Sequence, residues 1–448
     1  MQPYSPERRT ALVLCGTGAH GAYHAGVLRA LQEAGVKIDV MAGQGIGAGG
    51  AALAAIDGGA RLWESDGVWR SPATRGLYGW KWSLRVAAWF ALGSAIVLGG
   101  VLLLLALGVG LPVVLLQVVL TAFAVGLLAI FASASLTGWH AAPRRKAAGA
   151  WWWRIVGAPL DARPAVELFV GAIGQLIPGA GLVAGARGPG LGRRYAEVLT
   201  DSLGQPGFRE LMVVVTDLDA RRDVVGALLR EPYRREFLAP RLDRERRSEV
   251  IDLAGIGRDH ALDVTAAAMT PPVACDPQLI SFAPDSYWRG ETHRFCDRPG
   301  AVSRLLEELA SAGVSQAVIV SAVSPVPTPH RLTSAGLDAR QRLGEFLVAA
   351  ESAALRDAIE MARLRFDSVY LVCPAHNPVG AFDFRGTYDE ASDRRQDLPE
   401  LMERAYEDAY RQFIEPVVGA SGEHLARAAS PGHADDEARI FYDTDPPR

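Results

Sequence analysis

Residues 38–55 read IDVMAGQGIGAGGAALAA, and the fold turns on this stretch. A short apolar strand, Asp39–Ala42, runs into Gly43-Gln44-Gly45-Ile46-Gly47, and a helix of small residues opens at Ala48. A strand that bends through flanking glycines into a helix is the frame G-x-S-x-G, which lifts a central side chain clear of a sheet. Here the central residue is Gly45, which has no side chain to lift. Upstream, residues 11–26 read ALVLCGTGAHGAYHAG. Gly16, Thr17, Gly18 and Gly21 stand between an expected strand, Ala11–Cys15, and an expected helix, Gly21–Glu33. Glycines allow the turn, and backbone N–H groups at a helix N-terminus can hold an anion. One use of such a loop is a dinucleotide pyrophosphate, with an acid about 20 residues on, the part Asp39 would take. The other use is an oxyanion hole. Asp39 opens its strand, whereas a ribose-binding acid should close one, and a second glycine turn follows at once. Both points favour the oxyanion hole, although a purely structural tight turn would use the same residues.

The α/β pattern resumes far downstream. LMVVVT at Leu211–Thr216 reads as a buried strand, and Gln316–Ser321 and Val369–Cys373 read as later ones. Helices are expected over Pro299–Ala312, Asp338–Leu364 and Leu398–Ile414, with Asp338 as an N-cap. The mixed-charge run Arg230–Arg247 reads as a solvated helical face, and no internal repeat is visible.

In this order the motifs resemble the patatin-like phospholipases. That family's pattern is a loop GGGxRG, an elbow AGxSxGA about 25 residues later, and a distal DGG or DGA. Gly16-Thr17-Gly18-Ala19-His20-Gly21 matches the loop, with Thr17 for a Gly and His20 for the basic residue. Ala42–Ala48 matches the elbow, with Gly43 and Gly47 as its flanks and Gly45 in place of Ser. VVVTDLD at Val213–Asp219 and AAAMTPP at Ala266–Pro272 are similar to two further segments of the family. Phe295-Cys296-Asp297-Arg298 then aligns Asp297 with the family's dyad Asp, with Arg298 for a Gly. The resemblance implies a three-layer α/β sandwich around a mainly parallel sheet. It also implies lipid acyl hydrolysis by a Ser–Asp dyad, with Asp297 as base and the loop N–H groups on the oxyanion, and no metal or cofactor. Covalent catalysis needs a nucleophilic side chain at the elbow. Gly45 cannot supply one, nor can Gln44 or Ile46. Cys15 is expected to point into the sheet. Thr333-Ser334-Ala335-Gly336 reads as a loop before a helix, because Leu332 stands where the first elbow Gly belongs. Asp297 fits a turn or helix N-cap before Pro299 equally well, and His20 and His293 read as surface or turn residues.

Between Arg85 and His140 lie 54 residues without Asp, Glu, Lys or Arg. One membrane-spanning helix takes about 20 apolar residues. Two spans are expected, near 86–107 and 113–136, joined by Gly108–Pro112. Arg70, Arg75, Lys81 and Arg85 precede the first span, and Arg144, Arg145, Lys146 and Arg154 follow the second. By the positive-inside rule both ends lie in the cytoplasm, with tryptophans at both flanks as interfacial anchors. A second apolar stretch, Pro164–Ala186, reads either as membrane-surface or re-entrant chain or as a core helix and loop. The expected organisation is therefore an α/β domain from 10–60 and 210–418 and an insert over 61–155 with the hairpin. A Gly-rich connector over 156–209, with membrane association as one of its two readings, and a polar tail over 419–448 complete it.

The whole chain has 448 residues, 46 basic against 50 acidic and 49% hydrophobic. That balance does not suggest nucleic acid as a partner. The four cysteines show neither a disulfide framework nor zinc-ligand spacing. The N-terminus does not read as a secretory signal. The expected role is a membrane-anchored patatin-like protein of lipid metabolism that binds a membrane lipid, acyl chain or partner and has lost serine-dependent hydrolysis. The alternative is a working phospholipase that uses water activated by Asp297 or a nucleophile not identified.

Overall fold

The computed structural model describes residues 4–108, 112–113, 117–128, 157–177, 189–239, 246–284, 288–326, 338–389 and 392–419. Its centre is a sheet in the order β5-β4-β3-β2-β1-β8-β9. These strands are β1 (Thr10–Gly16), β2 (Val40–Gly45), β3 (Glu210–Asp217), β4 (Arg222–Leu228), β5 (Ser248–Asp252), β8 (Gln316–Ser321) and β9 (Ser368–Val372). A hairpin of β6 (Gln278–Ser281) and β7 (Thr292–Cys296) joins through β7 to the end of β3. Neighbours pair in parallel except β3 with β4 and β7, and β6 with β7. β2 and β3 are adjacent, so strands from either side of the long apolar segment share one sheet.

Parallel strands with both faces covered read as unbroken apolar runs, and the side chains then alternate between two cores. Leu12, Leu14, Leu211, Val213 and Val215 enter one core. Ala11, Val13, Met212 and Val214 enter the other. The first core is covered by α1 (Gly21–Glu33), α2 (Gly47–Ala55) and the helices Arg163–Leu176, Pro189–Ser202, Ala261–Ala268 and Leu398–Ala409. The second is covered by Val302–Ser311 and the C-terminal half of Ala339–Ala362, through residues such as Leu305, Leu309, Leu355 and Ala358. This is the three-layer α/β sandwich expected from the sequence. Each fully buried Leu, Val or Phe in these layers contributes about 1.5–3 kcal/mol.

Several expectations shift. The helix expected from Pro299 begins at Val302, after Gly300 turns the chain with φ +83°. β4 and β5 were not read from the sequence. The run Arg230–Arg247 is not merely solvated where it is described: Phe237 is buried, Arg234 pairs with Asp252 at 2.7 Å and Arg246 with the buried Glu308 at 2.6 Å. The stretch 156–209 is more than a connector. Arg163–Leu176 packs Ala165, Phe169 and Ile173 into the core, and Pro189–Ser202 packs Leu191, Tyr195 and Leu199. That favours the core-helix alternative for the first half of Pro164–Ala186; residues 178–188 lie outside the described residues.

Helix α3 (Trp82–Ala106) behaves differently. It carries Trp82, Trp89, Ile96, Leu102 and Leu103 exposed, and residues 82–104 form a helix long and apolar enough to cross a membrane. At 1.5 Å per residue its 25 residues span about 37 Å, against about 30 Å of bilayer hydrocarbon. Beside it runs a shorter apolar helix, Gln117–Leu128, with Phe90 and Phe123 stacked at 5.7 Å. The remainder of the second expected span, the tail beyond Gly419 and Thr333–Gly336 lie outside the described residues.

Candidate active site

β1 and β2 end side by side, with Gly16 opposite Gly45. Both glycine turns therefore leave the sheet at the same edge, and each feeds a helix. Gly45 has φ +61°, the left-handed conformation that an elbow imposes on its central residue. The flanking glycines are closed in. A Cβ at Gly43 would lie 2.4 Å from the Ala48 Cα, and one at Gly47 would lie 2.1 Å from the Leu14 carbonyl oxygen. The elbow backbone is thus in place without its side chain.

What fills the gap is backbone. The Gly16 carbonyl accepts from the Ile46 N–H at 2.9 Å. The N–H following the nucleophile position is a standard oxyanion donor in elbow hydrolases, and here it is already occupied. A Cβ at Gly45 would stand 2.2 Å from that same carbonyl oxygen. The glycine loop is covered as well. The Ala19 N–H donates to the Ala381 carbonyl at 2.7 Å, and a Cβ at Gly18 (φ +60°) would lie 2.0 Å from that oxygen. Gly21 opens α1 with Trp69 against it. The predicted site glycines come together, but two of the loop and elbow N–H groups point at protein carbonyls.

Asp297 follows β7 and is buried at 1% exposure. Its N–H donates to the Thr270 carbonyl at 2.9 Å, so the Ala266–Pro272 segment positions it. Its Oδ2 would be 3.4 Å from a Cβ at Gly45, so Asp297 stands beside the centre of the elbow. Neither carboxylate oxygen has a hydrogen-bond partner of good geometry. Burial, and then the charge of Glu351, hold its pKa well above the usual carboxylate range; the Arg298 and Gly45 N–H groups oppose that. Arg298, where the family has Gly, turns outward to pair with Asp223 on β4.

Glu351 was not read from the sequence. The helix Ala339–Ala362 carries it in among its buried residues, and it accepts from the Thr17 hydroxyl. Burial raises its pKa to about 7, opposed by the Thr17 hydroxyl and N–H. A signal was available: Leu347, Glu351 and Leu355 are four residues apart, so one charge lies on an apolar stripe. His20 and His24 complete the cluster. His20 Nδ1 is 3.9 Å from Glu351, and His24 Nε2 is 2.9 Å from the Cys15 carbonyl. Burial lowers both pKa values to about 4, so both rings are neutral near pH 7.

Four readings need correction or sharpening. His20 is not a surface residue, because the glycine turn folds it inward to 1% exposure. His293 is likewise buried, on β7, with Asp217 at 2.5 Å and Glu291 at 3.2 Å. Cys15 lies in the second core with its thiol pKa pushed far up by burial, which leaves it a poor nucleophile. Asp39 caps the far end of the sheet, accepting from the Thr10 N–H at 2.9 Å, at the opposite end of β1 from the glycine loop. That removes the dinucleotide alternative.

A family model described as patatin-like phospholipase matches residues 12–330, well over half of the chain. The chain belongs to the patatin-like phospholipase family. Within this patatin-like chain, a stretch of 79 residues is 40% identical to neuropathy target esterase sws from Drosophila sechellia. That stretch is 18% of this chain and 5% of that protein. The patatin-like chain also aligns with the crystal structure of VipD from Legionella pneumophila, over 93% of this chain and 67% of that one. Identity there is 14% and the TM-score 0.30, too low to bear on function. The loop, the elbow frame and Asp297 lie together within the matched residues, with Gly45 at the centre of the elbow.

Proposed function

We propose that this chain is a membrane-anchored patatin-like protein that engages lipid at a bilayer surface without serine-dependent ester hydrolysis. The observation that carries the reading is Gly45, a residue with no nucleophile at the centre of an intact elbow frame. The Gly16 carbonyl on the Ile46 N–H supports it, because the oxyanion position is used internally. The exposed apolar helix α3 supports membrane attachment, and the flanking basic residues support a cytoplasmic α/β domain at an inner or plasma membrane. The partial identity to a named esterase supports an ester-type ligand.

A second reading has one observation in its favour. Asp297 stands buried beside Gly45, with only the Arg298 and Gly45 N–H groups acting on its carboxylate, a place from which it could activate a water. A fluorophosphonate probe on the purified full chain tests the first reading. We expect no covalent adduct at any residue in peptide mass spectra. An adduct on a side chain at this site would identify a nucleophile and overturn it.

A further inference from the structure

Where α3 leaves the α/β domain, a cleft of about 570 Å³ opens. Its basic residues come from four separate stretches of sequence. Arg75 lies in the Pro72–Gly76 turn and Arg85 in the first turn of α3. Arg340 starts the Ala339–Ala362 helix, and Arg385 lies in the segment after β9. Among the described residues lining the cleft, Asp383 is the one carboxylate, and it already accepts from the Gly380 N–H at 3.1 Å. None of the four arginines makes an ion pair within 4 Å among the described residues, whereas many other arginines of this chain do.

Flanking positive charge at a membrane helix would explain Arg75 and Arg85 alone. It does not explain Arg340 and Arg385, which lie more than 250 residues away in sequence and are brought here by the fold. Arg340 is held firmly. Its Nη2 donates to the carbonyls of Phe382 at 2.7 Å and Leu77 at 3.3 Å, and its guanidinium sits over the Phe382 and Phe384 rings. Its Nε is buried and unpartnered. Burial lowers its pKa; Asp383 and Asp338 oppose that, and the charges of Arg385 and Arg85 add to it.

We propose that this cleft is a binding site for a phosphate group, presented as an anionic phospholipid headgroup or as free phosphate. Guanidinium groups converging from several directions suit a tetrahedral anion with several oxygens, because each can donate two parallel hydrogen bonds. The volume is that of a small-ligand site, larger than a single carboxylate needs. Trp80 on the cleft wall and α3 beside it place the charge where headgroups would lie if α3 spans a bilayer. The lipid half of the proposal rests on the membrane reading above; the phosphate chemistry does not.

The test is calorimetric titration of the full chain in dodecyl maltoside micelles. The probes are dihexanoyl phosphatidylglycerol, inorganic phosphate and uncharged dihexanoylglycerol. The variants are Arg340→Gln and the exposed Arg385→Gln, the second guarding against a folding defect in the first. We expect saturable binding of a phosphate-bearing probe, no binding of dihexanoylglycerol, and affinity about tenfold or more weaker in Arg385→Gln at unchanged thermal stability. Binding of phosphatidylglycerol alone makes the source a lipid; equal binding of inorganic phosphate makes it the free anion. No saturable binding by either, or an affinity unchanged in Arg385→Gln, overturns the proposal. Flotation of the full chain with phosphatidylcholine vesicles is run beside it. Failure to float would remove the membrane reading while leaving the titration to judge the cleft.

Discussion

At the residue scale, Gly45 and the Gly16 carbonyl are two halves of one feature. A side chain at 45 and a carbonyl hydrogen-bonded to the Ile46 N–H compete for the same space, at 2.2 Å. In an elbow with a serine, the loop carbonyl must stand elsewhere, and the elbow N–H is then free for an oxyanion. In this chain the absence of a Cβ lets the loop close onto the elbow. On the proposed function, loss of the nucleophile and filling of the oxyanion position are linked by sterics. Gly45→Ala is the direct probe, with Gly35→Ala as its control. Gly35 has φ +63° and open space around it, so its substitution costs only the left-handed strain, about 1–2 kcal/mol. Gly45→Ala adds the collision with backbone, and we expect a further loss of about 1–3 kcal/mol. Thermal melting in detergent measures both. Equal losses would mean that the Gly16 carbonyl swings away freely and that the closure is shallow.

At the element scale, the long helix Ala339–Ala362 delivers Glu351 to the glycine loop, and this contact was the least legible part of the site. The loop, the elbow and Asp297 could be read because each is carried by a contiguous motif whose backbone shape demands glycine or a fixed neighbour. Glu351 and His24 belong to amphipathic helices, where a polar residue is ordinarily solvated, and only packing against β1 and Asp297 makes them interior. β4 was missed for a related reason: its apolar run follows a turn of charged residues, Asp219–Arg222, that reads as loop. The Glu351 contact predicts a pH signature. Its folded pKa, about 7, exceeds the ordinary 4.5, so the folded state holds this proton more tightly. Its contribution is fully present below about pH 4.5 and is lost as pH rises to about 7. Glu351→Gln should therefore improve relative to the parent chain between pH 5 and pH 8. His20 and His24 act in the opposite sense, losing stability as pH falls from 6.5 toward 4, but they are common to both forms and cancel in the difference. A melting-temperature difference that stays flat from pH 5 to 8 would show that Glu351 titrates as a solvated acid.

At the scale of the whole molecule, the α/β domain, helix α3 and the arginine cleft face one another in a consistent way. Strands from both sides of the apolar segment build one sheet, so the segment must leave the domain and return to the same side. The cleft lies at the point of departure; residues 382–386 line it, and the adjoining Ala381 supplies the carbonyl that covers the glycine loop. On the proposed function, phosphate binding at the cleft and closure of the glycine loop would involve adjoining residues of one segment. The sheet and both glycine turns were legible because parallel strands buried on two faces have a strong apolar signature. The cleft was not, since its arginines are scattered over four stretches of sequence. The central claim is that the scaffold persists without serine-dependent hydrolysis. The measurement that tests it most directly is fatty-acid release from phospholipid vesicles by the full chain, with Asp297→Asn in parallel. The account predicts release at the vesicle background for both proteins. Turnover by the parent chain that Asp297→Asn abolishes would contradict it and make Asp297 the base of a working enzyme.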